Sequence, residues 1–278
     1  MKGTLFIVST PIGNLEDITF RALRVLREVD FIAAEDTRHS LKLLTHYGIK
    51  KPMISYWSGK EKVRAEEIID KLLSGHSVAL ISDAGTPGIS DPGRVVVKKA
   101  IEERIHIVPV PGPSACITAL SVSGLPTDNF TFIGFLPPKN TQRQKILREL
   151  VFEAGTLIFY EAPHRLLEAL TDMDQIFTER AAAVVKELTK IHEEIFRGTL
   201  SDIMHQLEKT VLMGEYVILV EGRKSGRKTA GDDAVEEVLS LMKKGLKRKE
   251  AARRIAEAYG LSKKELYDKS LDFFGTEQ

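Results

Sequence analysis

Short continuous apolar runs alternate with 3.6-residue periodicities along the first hundred positions. The runs at 5–8 (LFIV), 31–34 (FIAA), 53–56 (MISY), 78–81 (VALI) and 107–110 (IVPV) have the length of strands buried on both faces. Between them the apolar spacing predicts amphipathic helices at 17–28, 40–47, 61–73 and 94–103, with Gly48 and Gly75 just past two of them. Repeated strand–helix units specify a mostly parallel sheet with helices on both faces. Pro111-Gly112-Pro113-Ser114-Ala115 then breaks the rhythm. A small-residue helix follows at 114–123, and strands crowd closer at 130–135, 156–160, 182–185, 194–197 and 216–220. Helices near 142–151, 165–177 and 201–209 intervene, which predicts a mixed sheet. The expected fold is α/β, with domains at 1–112 and 113–225 and a helical extension at 226–278.

The extension opens on a polar, basic linker at 223–231 (RKSGRKTAG). Asp232 is placed to cap a helix running to 242. A second helix, 247–259, carries Ala251, Ala252, Ile255 and Ala256 on one side and is stopped by Gly260. Ser262-Lys263-Lys264-Glu265 reads as a capping box opening a third helix with Leu266 and Leu271. The spacing resembles a helix-turn-helix. Net charge over the 278 residues is only +1, yet residues 243–269 hold ten Lys/Arg against four Asp/Glu. That asymmetry points to a surface for nucleic acid; three amphipathic helices with solvated lysines would give the same composition.

Composition narrows the chemistry. Cys116 is the only cysteine, which removes disulfide scaffolds and Cys-rich zinc sites. No signal-peptide pattern opens the chain and no apolar run reaches membrane-spanning length, so a soluble, cytoplasmic protein is expected. There is no GxxxxGK[ST], no GxGxxG after a strand and no GxSxG, and the histidines do not fall at metal-ligand spacings. What remains is a long loop. Asp83 to Gly93 (DAGTPGISDPG) spends eleven residues, three of them glycine and two proline, where a strand-to-helix turn needs about 2–6. Ser90-Asp91-Pro92-Gly93 offers an N-cap and a proline for the next helix. Strand, glycine-rich loop and helix N-terminus form a ligand crevice in open α/β sheets.

Six ordered motifs carry a family resemblance: LFIVSTPIGNLEDIT, FIAAEDTRHS, VALISDAGTPGISDPG, IVPVPGPSACITALSVSGLP, FIGFLPPK and LIFYEAPHR. Over residues 4–225 the chain resembles the RNA-directed branch of the tetrapyrrole methylase family. The resemblance implies a two-domain fold and S-adenosylmethionine bound in the cleft between domains. It further implies a homodimer acting on small-subunit rRNA, with 2′-O-methylation of a cytidine ribose in the decoding region. Carried over by position, the cofactor contacts are Ile12 in the first loop and Ala84, Gly85, Thr86 and Ile89 in the second. Ser114 and Ala115 follow the PGPSA turn, then Glu161 after the LIFY strand and Leu188 near VVKELTK. The wider family often has Gly-Pro-Gly and Gly-Gly-Asp-Pro where this chain has Pro11-Ile12-Gly13 and Gly85-Thr86-Pro87.

A ribose hydroxyl is a weak nucleophile, so a base or charge stabiliser should stand at the cleft. Glu35, Asp36 and His39 after the second strand are the candidates for proton handling, Asp36 or His39 first. Arg38, Arg165 and His164 are the candidates for the substrate's phosphates. Each strand-end carboxylate could instead cap a helix or sit in an ion pair. Two other functions compete: methylation of a corrin precursor, whose macrocycle has no phosphates for the basic helices to meet, and a non-enzymatic nucleic-acid-binding regulator.

Overall fold

A computed structural model describes residues 1–208, 210–223, 230–243, 245–259 and 261–272. Residues 1–223 form one unit and 224–278 another. The first unit contains two five-stranded sheets. In the first sheet β1 (Thr4–Val8), β2 (Phe31–Ala34), β3 (Met53–Ser55), β4 (Val78–Ile81) and β5 (His106–Val110) run parallel in the order β3-β2-β4-β1-β5. Every residue of β4 is buried, as its unbroken apolar run requires. Pro109 lies in β5, an edge strand, where its missing N–H costs no ladder bond. Helices α1 (Phe20–Glu28) and α2 (Thr37–His46) cover one face through Val25, Leu26 and Leu44. Helices α3 (Glu61–Leu73) and α4 (Arg94–Glu102) cover the other through Ile68, Leu72 and Val96.

Helix α5 (Ala115–Ser123) leads into the second sheet. Here β6 (Phe130–Phe135), β7 (Thr156–Glu161), β8 (Ala181–Lys186), β9 (Glu194–Thr199) and β10 (Tyr216–Val220) take the order β6-β7-β10-β8-β9. Only β6 and β7 pair in parallel; the other three pairs are antiparallel, so the sheet is mixed. Helices α6 (Asn140–Glu149), α7 (Leu166–Phe177) and α8 (Leu200–Leu207) pack on one face, and α5 packs on the other through Ala119 and Leu120. Cys116 is buried in that second layer.

Several element ends move from their expected places for identifiable reasons. The first helix starts at Phe20 because Thr19 caps it by accepting from the Ala22 amide; residues Leu15–Asp17 make a separate 3-10 turn capped by Asn14. The second starts at Thr37, three residues early, because Asp36 accepts from the amides of Arg38 and His39. The Ser90 segment does not cap α4. Its N-cap is Gly93 with no side-chain bond; the Gly93 amide donates to Glu61 Oε1 (2.9 Å) and the Val96 amide to the buried Tyr56 hydroxyl (3.2 Å).

In the extension, α9 (Ala230–Lys243), α10 (Arg248–Tyr259) and α11 (Lys263–Asp272) bury Val235, Val238, Ala252, Ile255 and Leu266 together. Helix α9 begins at Ala230, so Asp232 stands inside it rather than before it. Ser262 accepts from the Glu265 amide, one half of the expected capping box (3.4 Å). Leu271 is exposed, whereas Leu266 is buried. The linker residues 224–229 and Gly260 lie outside the described residues. No helix among the described residues is long and apolar enough to cross a membrane, and none of their side chains cluster as a metal site.

Candidate functional site

Strands β1, β4 and β5 are neighbours in a parallel sheet, so the loops leaving their carboxyl ends meet on one edge. Ser9, Thr10 and the Gly85 segment are tied there by short bonds. The Thr10 amide donates to the Gly85 carbonyl (2.9 Å) and the Gly85 amide to the Thr10 carbonyl (3.1 Å), while Ser9 Oγ and Thr86 Oγ1 lie 2.8 Å apart. Gly85 has φ +77, a left-handed conformation that a side chain disfavours. Both of its backbone polar groups are therefore committed to Thr10. Its importance lies in the turn it permits; it has no amide left to offer a ligand.

These loops and the edge of the second sheet enclose a cavity of about 310 Å3. All nine residues expected to touch a cofactor line it. Ile12 comes from the β1 loop, Ala84, Gly85, Thr86 and Ile89 from the β4 loop, and Ser114 and Ala115 from the start of α5. Glu161 ends β7, and Leu188 follows β8. Six of the other lining residues carried no local signal in the sequence. Tyr160 and Phe135 stack edge to face, 5.6 Å between centroids, and Gly214, Glu215, Tyr216 and Val217 bring in the start of β10, which reads only as an apolar strand. The Tyr160 hydroxyl accepts from the amide of Cys116, the second residue of α5 (3.1 Å). Burial pushes the Tyr160 phenol up to about 12, so it stays protonated and can also donate.

Glu161 is the charged group of this cavity. It is buried, and its Oε1 accepts from the Ala162 amide (2.8 Å) and pairs with Arg165 (2.6 Å). Arg165, expected to meet a substrate phosphate, has its guanidinium beside Glu161 and the Leu136 carbonyl, while its buried Nε has no hydrogen-bond partner. His164 is exposed, as is Arg38.

The second-strand cluster divides. Asp36 is exposed and spends its carboxylate on the α2 amides, first that of Arg38 (2.8 Å), which lowers its pKa and makes it a poor base. His39 is exposed on α2 and faces a different cavity. Glu35 behaves in the opposite way: burial, and then the charges of Asp91, Asp83, Asp36 and Glu61, raise its pKa to about 7. Asp91, which lines the first cavity, is raised by burial and by Asp83. Neither has a salt bridge among the described residues. Asp91 was missed as a chemical group because its Ser-Asp-Pro setting reads as a helix start.

Residues 4–204 match the family model for tetrapyrrole (corrin/porphyrin) methylases, and residues 229–272 match that for the RsmI C-terminal HTH domain. A ribosomal RNA small subunit methyltransferase I from Halalkalibacterium halodurans is 45% identical over 274 residues, covering 96% of this chain and 94% of that one. One of the same name from Synechocystis is 46% identical over 273 residues, covering 97% and 98%. Among solved structures, a uroporphyrin-III C-methyltransferase from Thermus thermophilus complexed with S-adenyl homocysteine superposes with a TM-score of 0.55 at 17% identity, covering 78% of this chain and 97% of that one. The fold, the convergence of its motif loops and this near full-length identity place the chain in the tetrapyrrole (corrin/porphyrin) methylase family, among the relatives named ribosomal RNA small subunit methyltransferase I.

Proposed function

We propose that this protein transfers a methyl group from S-adenosylmethionine to the 2′-hydroxyl of a cytidine ribose in the decoding region of small-subunit rRNA. The observation that carries this is the near full-length identity to proteins named for that rRNA. S-adenosylmethionine supplies an electrophilic methyl group on a sulfonium. The cavity suits such a molecule: Ile12, Ile89, Val185 and Leu188 give an apolar surface for a ring, and Glu161 places a buried carboxylate in its wall. The nine lining residues named above are proposed to hold it. Methyl transfer in line needs chiefly positioning, worth up to about 7–11 kcal/mol. Tyr160 and Arg165 contribute by fixing the α5 N-terminus and the Glu161 carboxylate.

The acceptor hydroxyl must lose a proton. Asp91, at the cavity and electrostatically coupled to Glu35, is assigned that role, with Glu35 holding the proton afterwards at its pKa of about 7. The basic extension and the exposed Arg38 and His164 are proposed to meet phosphates. The exposed Ile117 and Val122 of α5 support a homodimer, and such chemistry belongs in the cytoplasm, where ribosomal subunits are assembled.

The reading is tested with isolated small subunits and S-adenosylmethionine labelled in its methyl group. Label should enter the rRNA, and a subunit RNA carrying 2′-deoxycytidine at the target should bind yet take none. Equal labelling of the deoxy substrate would put the methyl group on the base and refute the ribose assignment.

A further inference from the structure

A second cavity, of about 350 Å3, adjoins the first and shares Ile12, Ala84 and Glu215 with it. Its remaining wall comes from the β1 loop, the first turns of α2 and the end of β4. Ser40 lines it, 2% exposed, and the Ser40 hydroxyl has no hydrogen-bond partner. A buried hydroxyl left unbonded is costly and marks a place where something bound completes the bond.

The charged groups of this cavity are sorted. Lys190 is already occupied, held by Glu187 (2.8 Å) and Glu215 (3.0 Å). Lys42 and His39 are exposed and form no salt bridge among the described residues, so two cationic or polar donors are free. Asp83 is half-buried. Its Oδ1 accepts from the Asp36 amide (3.1 Å), and its other oxygen makes no hydrogen bond among the described residues. A ligand that satisfies all of these carries an anion for Lys42 and His39, an amino donor for Asp83 and a further polar edge for Ser40. A cytosine nucleotide has these groups: a phosphate, the exocyclic N4 amine that carboxylates accept from, and the neighbouring ring acceptors.

We propose that the second cavity is the acceptor site and takes one unstacked cytidine nucleotide of the RNA. Asp83 reads the N4 amine, Ser40 completes the base edge, and Lys42 and His39 hold the phosphate. The ribose then lies against the wall shared with the donor cavity. Single-stranded RNA presents such splayed bases readily. The inference rests on the methyltransferase reading above, cytidine included, and adds the cavity that holds the acceptor nucleotide and the residue that reads its base.

The test uses the full chain saturated with S-adenosylhomocysteine and two short fluorescent RNAs that differ only in carrying C or U at the target position. The wild type should prefer the C form by roughly 5- to 150-fold. Asp83→Asn should abolish that preference, because its amide can also donate to the uracil carbonyl. Lys42→Ala, an exposed position that leaves the fold alone, should weaken both RNAs alike and flatten the slope of log affinity against log salt by about 0.7. Calorimetry with S-adenosylhomocysteine should give the same affinity for all three proteins. A retained preference for C in Asp83→Asn, or an unchanged salt slope in Lys42→Ala, overturns the acceptor site. Failure of the wild type to bind S-adenosylhomocysteine would instead overturn the methyltransferase reading on which it rests.

Discussion

Asp172 and Glu35 are both carboxylates drawn away from water, and the chain surrounds them in opposite ways. Asp172, on α7, is 4% exposed and fully answered: Arg143 from α6 at 2.6 Å, Asn140 at 2.9 and 3.0 Å, and Gln144 at 2.8 Å. Arg143 is itself 2% exposed. Glu35 has no cation; its charged neighbours are Asp91, Asp83, Asp36 and Glu61. One arrangement joins two helices. The other costs stability without joining anything, and it stands at the edge where the motif loops meet. Carboxylates held together against their charge are the mark of a site where protons move.

Breaking the first arrangement should have the largest effect. Arg143→Ala leaves Asp172 buried without its cation and should cost about 3–5 kcal/mol, read by urea unfolding. A double replacement of Arg143 and Asp172 by apolar residues of similar volume should recover most of that loss. If the single variant is no less stable than the double, the pair does not hold α6 to α7.

Next in size is the support of the Asp91 loop. Tyr56→Phe removes the hydroxyl that accepts from the Val96 amide and donates to Glu61 (3.2 Å). The variant should lose about 1–3 kcal/mol and hold the start of α4 less firmly, seen as faster amide exchange at Val96. Unchanged exchange there would remove Tyr56 from the account.

The smallest effect appears only as pH rises. A carboxyl whose folded pKa lies above its ordinary value binds its proton more tightly in the folded chain. The stability that this group contributes should therefore be fully present below pH about 4.5, fall as pH rises, and be lost above about 7. Glu35→Gln removes the charge and with it the fall. It should match the wild type near pH 4.5 and exceed it by on the order of 1 kcal/mol at pH 8, solvent contact having reduced the full effect. A variant less stable than wild type at pH 8 would mean that Glu35 has a stabilising partner.

The same contrast explains what could be read in the sequence. The strands and the loop residues Ile12, Ala84 to Ile89, Ser114 and Ala115 were legible because each motif is continuous: an apolar run, then glycine and proline. The mixed second sheet was legible from strand spacing. The acidic group was not, because Glu35, Glu61 and the Asp83–Asp91 loop sit on three separated segments that only the order β3-β2-β4 brings together. Asp36 was open to two readings, base or helix cap, and it is seen capping α2. Its value as a cap depends on the next three residues being helical, and Thr37-Arg38-His39 read as a charged cluster. Arg165 looked like a free cation because its partner Glu161, four residues earlier, was expected to face the ligand alone.

The central claim is that the unpaired carboxylates were kept for proton transfer. Its most direct test is the pH dependence of single-turnover methyl transfer at saturating S-adenosylmethionine and RNA, for wild type, Glu35→Gln and Asp91→Asn. The wild-type rate should rise with pH through an apparent pKa near 7. Asp91→Asn should lose about 10²–10⁴-fold in rate, and Glu35→Gln should shift or flatten the rise, while both bind S-adenosylhomocysteine as wild type does. Profiles that superpose across all three proteins would contradict the account and return these carboxylates to a structural role.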